Sequence, residues 1–154
     1  VLAHALALIR RDILNLPAPD PDRCAVAALY HDASEILTGD LPTPIKYYNP
    51  EIKTAYKQVE RVAGERLLNM LPPELRASYA HDVLEDNEAL APIVKGADKL
   101  SAHIKCLEEQ KAGNTEFDTA ARQTWEAIQT MNRPELDWFV EHCLGSFTLN
   151  LDQL

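Results

Sequence analysis

The sequence lacks the features of a membrane or secreted protein. Its longest uncharged runs are much shorter than a bilayer-spanning segment, and no signal-peptide pattern opens the chain. Cysteine is scarce: Cys24, Cys106 and Cys143 are odd in number, far apart and not arranged as a metal-binding pair. This pattern argues against a disulfide framework, so we expect a cytoplasmic protein with no membrane partner.

Positive charge is also in deficit. Lysine and arginine number 15 against 24 aspartates and glutamates, which gives a formal net charge of −9. A nucleic-acid polymer is therefore not expected as the main ligand, because backbone binding depends on basic side chains that neutralise phosphates. A small phosphorylated metabolite remains compatible, since a bound metal ion can supply positive charge locally.

Glycine is scarce too, with five residues, and the ten prolines fall mostly between periodic segments. Strand-like alternation is missing before the tail at 147–151. We therefore predict an all-α bundle of about seven helices, forming a single domain over residues 1–154. The predicted helices cover about residues 1–14, 20–37, 49–70, 72–79, 88–112, 116–131 and 134–143.

An initiator methionine and an N-cap residue are missing from the start of the chain. Val1 to Arg10 already has the pattern of an apolar helix. We expect a longer natural protein in which a further segment precedes Val1.

The most informative residues present are three charged side chains that close an apolar run. Residues 24–30 carry no charge, and His31, Asp32 and Glu35 follow at once. On a continuous, buried helix Glu35 would lie one turn from both His31 and Asp32. Imidazole nitrogen and carboxylate oxygen suit first-row divalent metals, so the pattern indicates a metal site with a spare carboxylate. The alternative is a hydrogen-bonded structural pair.

Two other acidic positions have simpler alternatives. Asp98 lies beside an apolar stripe at helical spacing and is either turned toward a pocket or exposed and paired with a nearby lysine. The apolar stripe beside Asp98 consists of Ile93, Ala97, Leu100, Ile104 and Leu107.

The second His-Asp pair, His81-Asp82, is predicted to lie in a solvated, acidic helix start or loop.

Two motifs at sensible spacing resemble a known family. They are the apolar helix ending in His31-Asp32 and the sequence GADKL at 96–100. Their order resembles the HD-domain phosphohydrolase superfamily, and HDASEILTGDLPTPIKY at 31–47 is more closely similar to the bacterial 5′-deoxynucleotidases of the YfbR type. The similarity continues in KCLEE at 105–109, AGN at 112–114 and SF at 146–147.

The resemblance implies a helical HD-domain bundle that forms homodimers and hydrolyses deoxynucleoside 5′-monophosphates with one divalent transition metal, such as Co²⁺ or Mn²⁺. By that resemblance His31, Asp32 and Asp98 are metal ligands on different helices, and Glu35 is the general acid or base. Asp32 and Asp98 also contact substrate. The nucleotide pocket is expected to include Asp40, Leu41, Pro42 and Thr43.

The sequence departs from the family pattern at its beginning. The family has an earlier histidine within Glu-His-Ser, and no such triplet occurs here. We expect this ligand in the segment before Val1 and assign His4 a structural role. His103 lies about 140° around the helix from Asp98 and is not expected to be a ligand, and His142 is expected to be peripheral.

Two other functions remain open at this point. Another HD-type nucleotide phosphohydrolase or phosphodiesterase is one, although bimetallic members add histidines between the His-Asp pair and the last aspartate, where only His81 occurs here. A non-catalytic HD scaffold is the other. The presence of Glu35 beside the ligands favours catalysis, because a binding scaffold has no use for a spare carboxylate.

Overall fold

The computed structural model describes residues 1–40, 49–84 and 87–153. Within these ranges the chain is helical and contains no strand, which confirms the predicted all-α class. No helix in the described ranges combines the length and apolar character of a bilayer-spanning segment. The α-helices are α1 (Leu2–Leu8), α2 (Pro21–Tyr30), α3 (Glu35–Thr38), α4 (Pro50–Met70), α5 (Pro73–Val83), α6 (Ala91–Lys111), α7 (Asp118–Thr130) and α8 (Pro134–His142).

Shorter helical segments complete the described chain. A π-helical segment, Ile9–Ile13, continues α1, and 3₁₀ turns cover Thr115–Phe117, Leu144–Thr148 and Leu151–Gln153. The apparent alternation at 147–151 therefore falls on the end of one 3₁₀ turn, the two residues that follow it and the first residue of the next turn. Seven of the described α-helices have seven or more residues, as the sequence predicted.

Local signals place the start of α4. The Asn49 side chain accepts a hydrogen bond from the Ile52 amide at 2.7 Å, and Pro50 occupies the first turn. An asparagine cap satisfies an amide that has no partner within the helix, and proline has no amide to satisfy there. The predicted helix over 49–70 is confirmed.

The helix predicted over 20–37 is wrong in its second half. α2 ends at Tyr30, a turn follows, and α3 begins again at Glu35. In this turn the backbone hydrogen bonds join residues three positions apart instead of four. The Ala33 amide donates to the Tyr30 carbonyl and the Glu35 amide to the Asp32 carbonyl, both at 2.9 Å. Polar side chains that bond to nearby backbone groups compete with the helix in this way.

The prediction that this helix is buried all round is also wrong. In α2 only Pro21 and Cys24 are buried, and the Leu29 side chain is 79% exposed. The apolar composition of residues 24–30 therefore does not correspond to a helix enclosed on every side.

Two compact units are distinguishable. The larger comprises Val1–Ala25 and Ala89–Leu154, and the smaller comprises Val26–Glu88. The single domain predicted from the sequence stays a prediction.

The core of the larger unit forms around α6. This helix packs against α1, α7 and the 3₁₀ turn at Leu144–Thr148. The predicted apolar stripe on α6 is confirmed for four of its members, which are buried: Ile93, Ala97, Leu100 and Ile104. Gly96 adjoins Leu136 so closely that an added Cβ would lie 3.3 Å from its Cδ1, so a side chain at this position would require Leu136 to shift by a few tenths of an ångström.

A buried carboxylate connects the two ends of the larger unit. Glu135 is 1% exposed and accepts a 2.8 Å bond from Arg10 Nη1 on one oxygen and a 2.8 Å bond from Arg133 on the other. Arg10 also donates from Nε to the Pro17 carbonyl at 2.7 Å. With both oxygens bonded to guanidinium groups, the carboxylate is tolerated inside the core.

In the smaller unit α4 packs against α3 and α5. Gly64 permits the close packing of α4 against α5, since an added Cβ would lie 3.0 Å from Cδ2 of Leu84, the residue that follows α5. The Tyr30 and Tyr79 rings meet edge to face at 5.9 Å. The prediction of a solvated His81-Asp82 pair is wrong for Asp82, which lies within α5 and is only 6% exposed.

The three cysteines are free thiols, with Cys24 and Cys106 buried and Cys143 partly exposed. Burial raises the pKa of Cys24 to about 11, with a further contribution from the charge of Asp20. A thiol with that pKa is almost fully protonated at neutral pH and therefore unreactive.

Replacing Glu135 with alanine is expected to lower the free energy of unfolding by about 2–3 kcal/mol. This is less than the cost for a fully buried pair, because Arg10 and Arg133 remain 20% and 26% exposed and can be partly solvated. Urea unfolding measures the change. Glu141→Ala, at a side chain that is 79% exposed, is the matched control and should change stability by less than about 0.5 kcal/mol.

The stability of the larger unit is expected to depend on pH through His103. His103 is 6% exposed and its ring lies tilted against that of Trp125, with centroids 5.4 Å apart, and burial lowers its pKa despite an opposing hydrogen bond to the Ala121 backbone. The unfolded chain therefore binds a proton at this histidine more readily than the folded chain does. The contribution of His103 to the free energy of unfolding is complete above about pH 6.5 and declines as pH falls below it. Urea unfolding between pH 7.5 and 5.5 should give a smaller decline for His103→Gln than for wild type; an equal decline would contradict the assignment.

Candidate active site

His31 is held by the last turn of α2. Its Nδ1 lies 2.8 Å from the Ala28 carbonyl oxygen. Because a carbonyl only accepts, Nδ1 carries the hydrogen and donates. In the neutral ring the lone pair then lies on Nε2, which is how a metal-binding histidine is commonly oriented by its other nitrogen.

The Nε2 atom of His31 faces a carboxylate oxygen. It lies 3.0 Å from Asp32 Oδ2, and the two side chains are 29% and 57% exposed. With Nδ1 donating to Ala28, Nε2 of His31 and Oδ2 of Asp32 are the two atoms of this pair that face each other as possible metal ligands. Ligand bonds of about 2.0–2.2 Å to one metal are compatible with their 3.0 Å separation. The donor set thus fits a divalent cation.

Glu35 adjoins the pair through the backbone. It is the first residue of α3, and its amide donates to the Asp32 carbonyl at 2.9 Å. The preceding Ser34 is buried at 8% exposure, whereas the Glu35 side chain is partly exposed. The predicted one-turn spacing on a continuous helix is replaced by a tight turn, which still leaves Glu35 three residues from Asp32.

Asp40 follows a glycine with an unusual backbone. Gly39 ends α3 at φ +69° and ψ +165°, and its carbonyl oxygen accepts a 2.9 Å hydrogen bond from the Tyr56 hydroxyl of α4. The Thr38 hydroxyl lies 2.9 Å from the same oxygen. Asp40 itself is exposed. Leu41, Pro42 and Thr43, also predicted in the pocket, lie outside the described residues.

Asp98 belongs to the larger unit and His31-Asp32 to the smaller one. Its carboxylate is 42% exposed and lies 3.0 Å from Lys99 Nζ, the type of lysine pairing that the simpler alternative predicted. A half-exposed pair of this kind contributes about 0–1 kcal/mol and does not hold the side chain firmly. Within the described residues, no group of three or more His, Cys, Asp or Glu side chains is arranged to hold a metal. The three-residue ligand set remains a prediction.

The other histidines have contacts of different kinds. His4 Nε2 lies 3.3 Å from Asp22 Oδ1, which agrees with a structural role. The Thr124 hydroxyl donates to the Ala120 carbonyl, so its oxygen accepts from His103 Nδ1 at 3.0 Å. His142 stacks on Trp138 with ring centroids 4.3 Å apart, at the surface.

Tyr56 was not among the residues predicted from the sequence. Its hydroxyl contacts a carbonyl 17 positions earlier. The sequence places Tyr56 in the second turn of a capped helix, but no local pattern indicates which backbone group its hydroxyl meets.

Comparison with known proteins gives consistent matches. A family model described as 5′-deoxynucleotidase YfbR-like matches residues 1–147. The 5′-deoxynucleotidase of Erwinia tasmaniensis is 49% identical, with 100% of this chain and 78% of that protein aligned. Those of Vibrio atlanticus and Shewanella oneidensis are 44% and 42% identical, covering 99% and 100% of this chain and 79% and 80% of their own lengths.

Proposed function

The chain belongs to the YfbR-like 5′-deoxynucleotidase family, and we propose that it hydrolyses deoxyribonucleoside 5′-monophosphates to deoxyribonucleosides and phosphate. The family membership confirms the resemblance seen in the two sequence motifs. The negative net charge of the chain agrees with a small phosphorylated substrate rather than a nucleic-acid polymer.

The observation that supports this function most directly is the His31–Asp32 geometry. Nδ1 donates to Ala28, so Nε2 presents its lone pair 3.0 Å from Asp32 Oδ2. We propose that His31, Asp32 and Asp98 hold one divalent transition metal, with Co²⁺ and Mn²⁺ as the candidates. Such an ion offsets the negative charge of the phosphate during phosphoryl transfer.

Glu35 is proposed as the general acid or base. Its place directly after the His31-Asp32 turn allows it to accept a proton from the attacking water. The water oxygen forms a bond to phosphorus and the bond from phosphorus to the 5′ oxygen breaks. The proton that Glu35 accepted from the water passes to that oxygen, which leaves as the deoxynucleoside hydroxyl.

Substrate recognition is assigned to the segment that follows α3. Asp40 accepts a hydrogen bond from the sugar 3′-hydroxyl, and Leu41, Pro42 and Thr43 line the pocket with it. Asp32 and Asp98, the proposed metal ligands, are also proposed to contact the substrate. We further propose a cytoplasmic homodimer, in keeping with three free thiols and no disulfide framework.

Phosphate release from matched deoxy- and ribonucleoside 5′-monophosphates tests the function. With full-length protein and added Co²⁺ or Mn²⁺, we expect metal-dependent release that favours the deoxy substrates. Equal turnover of ribo- and deoxynucleotides would contradict deoxy selectivity. Hydrolysis of a cyclic dinucleotide or of a nucleoside triphosphate, followed by chromatography of the nucleotide products, without phosphate release from the monophosphates would identify a different HD-type hydrolase, and hydrolysis of none of these substrates would indicate a scaffold.

Glu35→Ala separates catalysis from metal binding. We expect kcat to fall at least about 100-fold, in the range for loss of a general acid or base, while metal affinity stays within about twofold of wild type. Phosphate release and calorimetric titration with Co²⁺ measure the two quantities. Glu74→Ala, at an exposed carboxylate in the first turn of α5, is the matched control and should leave both unchanged. Loss of metal by Glu35→Ala would show that Glu35 is a ligand.

A further inference from the structure

The backbone at Gly39 is in a conformation that only glycine adopts readily. Its φ of +69° and ψ of +165° lie in a region that a Cβ atom disfavours. An added Cβ would meet nothing within 4 Å, so the requirement for glycine comes from the backbone itself and not from crowding. Such conformations persist where surrounding contacts hold them, and they concentrate at functional sites.

Two hydroxyl groups hold the Gly39 carbonyl. Thr38 directly precedes Gly39 in the chain, so its 2.9 Å contact does not connect the turn to another element. Tyr56 comes from α4, and its 2.9 Å hydrogen bond attaches the end of α3 to that helix. The Tyr56 and Thr38 hydroxyl oxygens lie 3.5 Å apart, which completes a small polar cluster around one carbonyl.

The start of α4 determines where this hydroxyl lies. Asn49 and Pro50 define the first turn, and Tyr56 follows in the second turn. The peptide group whose oxygen Tyr56 contacts is also the one that bears the Asp40 amide. Rotation about the Gly39 bonds would therefore redirect Asp40 directly.

We infer that Tyr56 is a positioning residue for Asp40: its hydroxyl fixes the Gly39 peptide and thereby sets how the site binds the sugar 3′-hydroxyl. This inference rests on the proposed function and adds a residue to it. Tyr56 does not contact the substrate and acts only through the direction of the chain at Asp40.

Tyr56→Phe removes the hydroxyl and keeps the ring. We expect KM for a 2′-deoxynucleoside 5′-monophosphate to rise about fivefold, the loss corresponding to one neutral hydrogen bond, with kcat within about twofold. A 2′,3′-dideoxynucleoside 5′-monophosphate has no 3′-hydroxyl, so its KM should not change. A purely structural effect would alter both substrates alike.

Thr54→Val is the matched control. It deletes another hydroxyl of α4, one that donates to the Pro50 carbonyl at 2.9 Å and does not reach Gly39. Its kinetic constants should equal those of wild type. Gly39→Ala provides a second route, because the strained backbone should displace Asp40 and raise KM for the 2′-deoxy substrate while sparing the dideoxy substrate.

A double-mutant cycle with Asp40→Ala, which removes the acceptor oxygens, tests the pathway through Asp40. Tyr56→Phe should have no further effect on KM in the Asp40→Ala background. The inference is overturned if KM for the 2′-deoxy substrate is unchanged in Tyr56→Phe, if both substrates are affected equally, or if the effect persists without Asp40. Each of these results requires an active wild-type enzyme, whereas failure of the proposed function would appear as an inactive wild type.

Discussion

The larger unit depends on the neutralisation of one buried carboxylate. Glu135 sits at the start of α8 and would be very costly to bury alone, yet two guanidinium groups engage its two oxygens. Arg10 comes from the first helical segment of the chain and Arg133 from the residue before α8. The constraint therefore joins the beginning of the described chain to its last α-helix, and α6 packs against α1 and α7.

In the smaller unit the candidate site forms where a side chain competes with the helix backbone for a hydrogen bond. His31 takes the Ala28 carbonyl, the backbone tightens into a turn, and α3 begins only at Glu35. The interruption directs Nε2 of His31 toward Asp32 and leaves its lone pair available for a cation. An uninterrupted helix would satisfy the carbonyls internally and would not orient the imidazole in this way.

Much of the helix pattern could be predicted because its causes are local. Asn49 and Pro50 start a helix through their own capping chemistry, and the stripe from Ile93 to Ile104 follows the helical period. The continuous helix over 20–37 was wrong because apolar composition does not indicate that the His31 side chain bonds the Ala28 carbonyl, which a continuing helix would use itself. The burial of Asp82 was missed because burial depends on elements distant in sequence.

The sequence by itself determined the all-α class, the principal helix limits and the family, since periodicity, caps and motif order are properties of neighbouring residues. It predicted His31, Asp32 and Glu35 as candidate site residues by type and spacing, and Asp40 through the family resemblance. Only the tertiary structure decided the burial of Asp82 and the attachment of Gly39 to Tyr56. Those features depend on which groups meet in space, and a hydrogen bond between residues 17 positions apart leaves no local trace in the sequence.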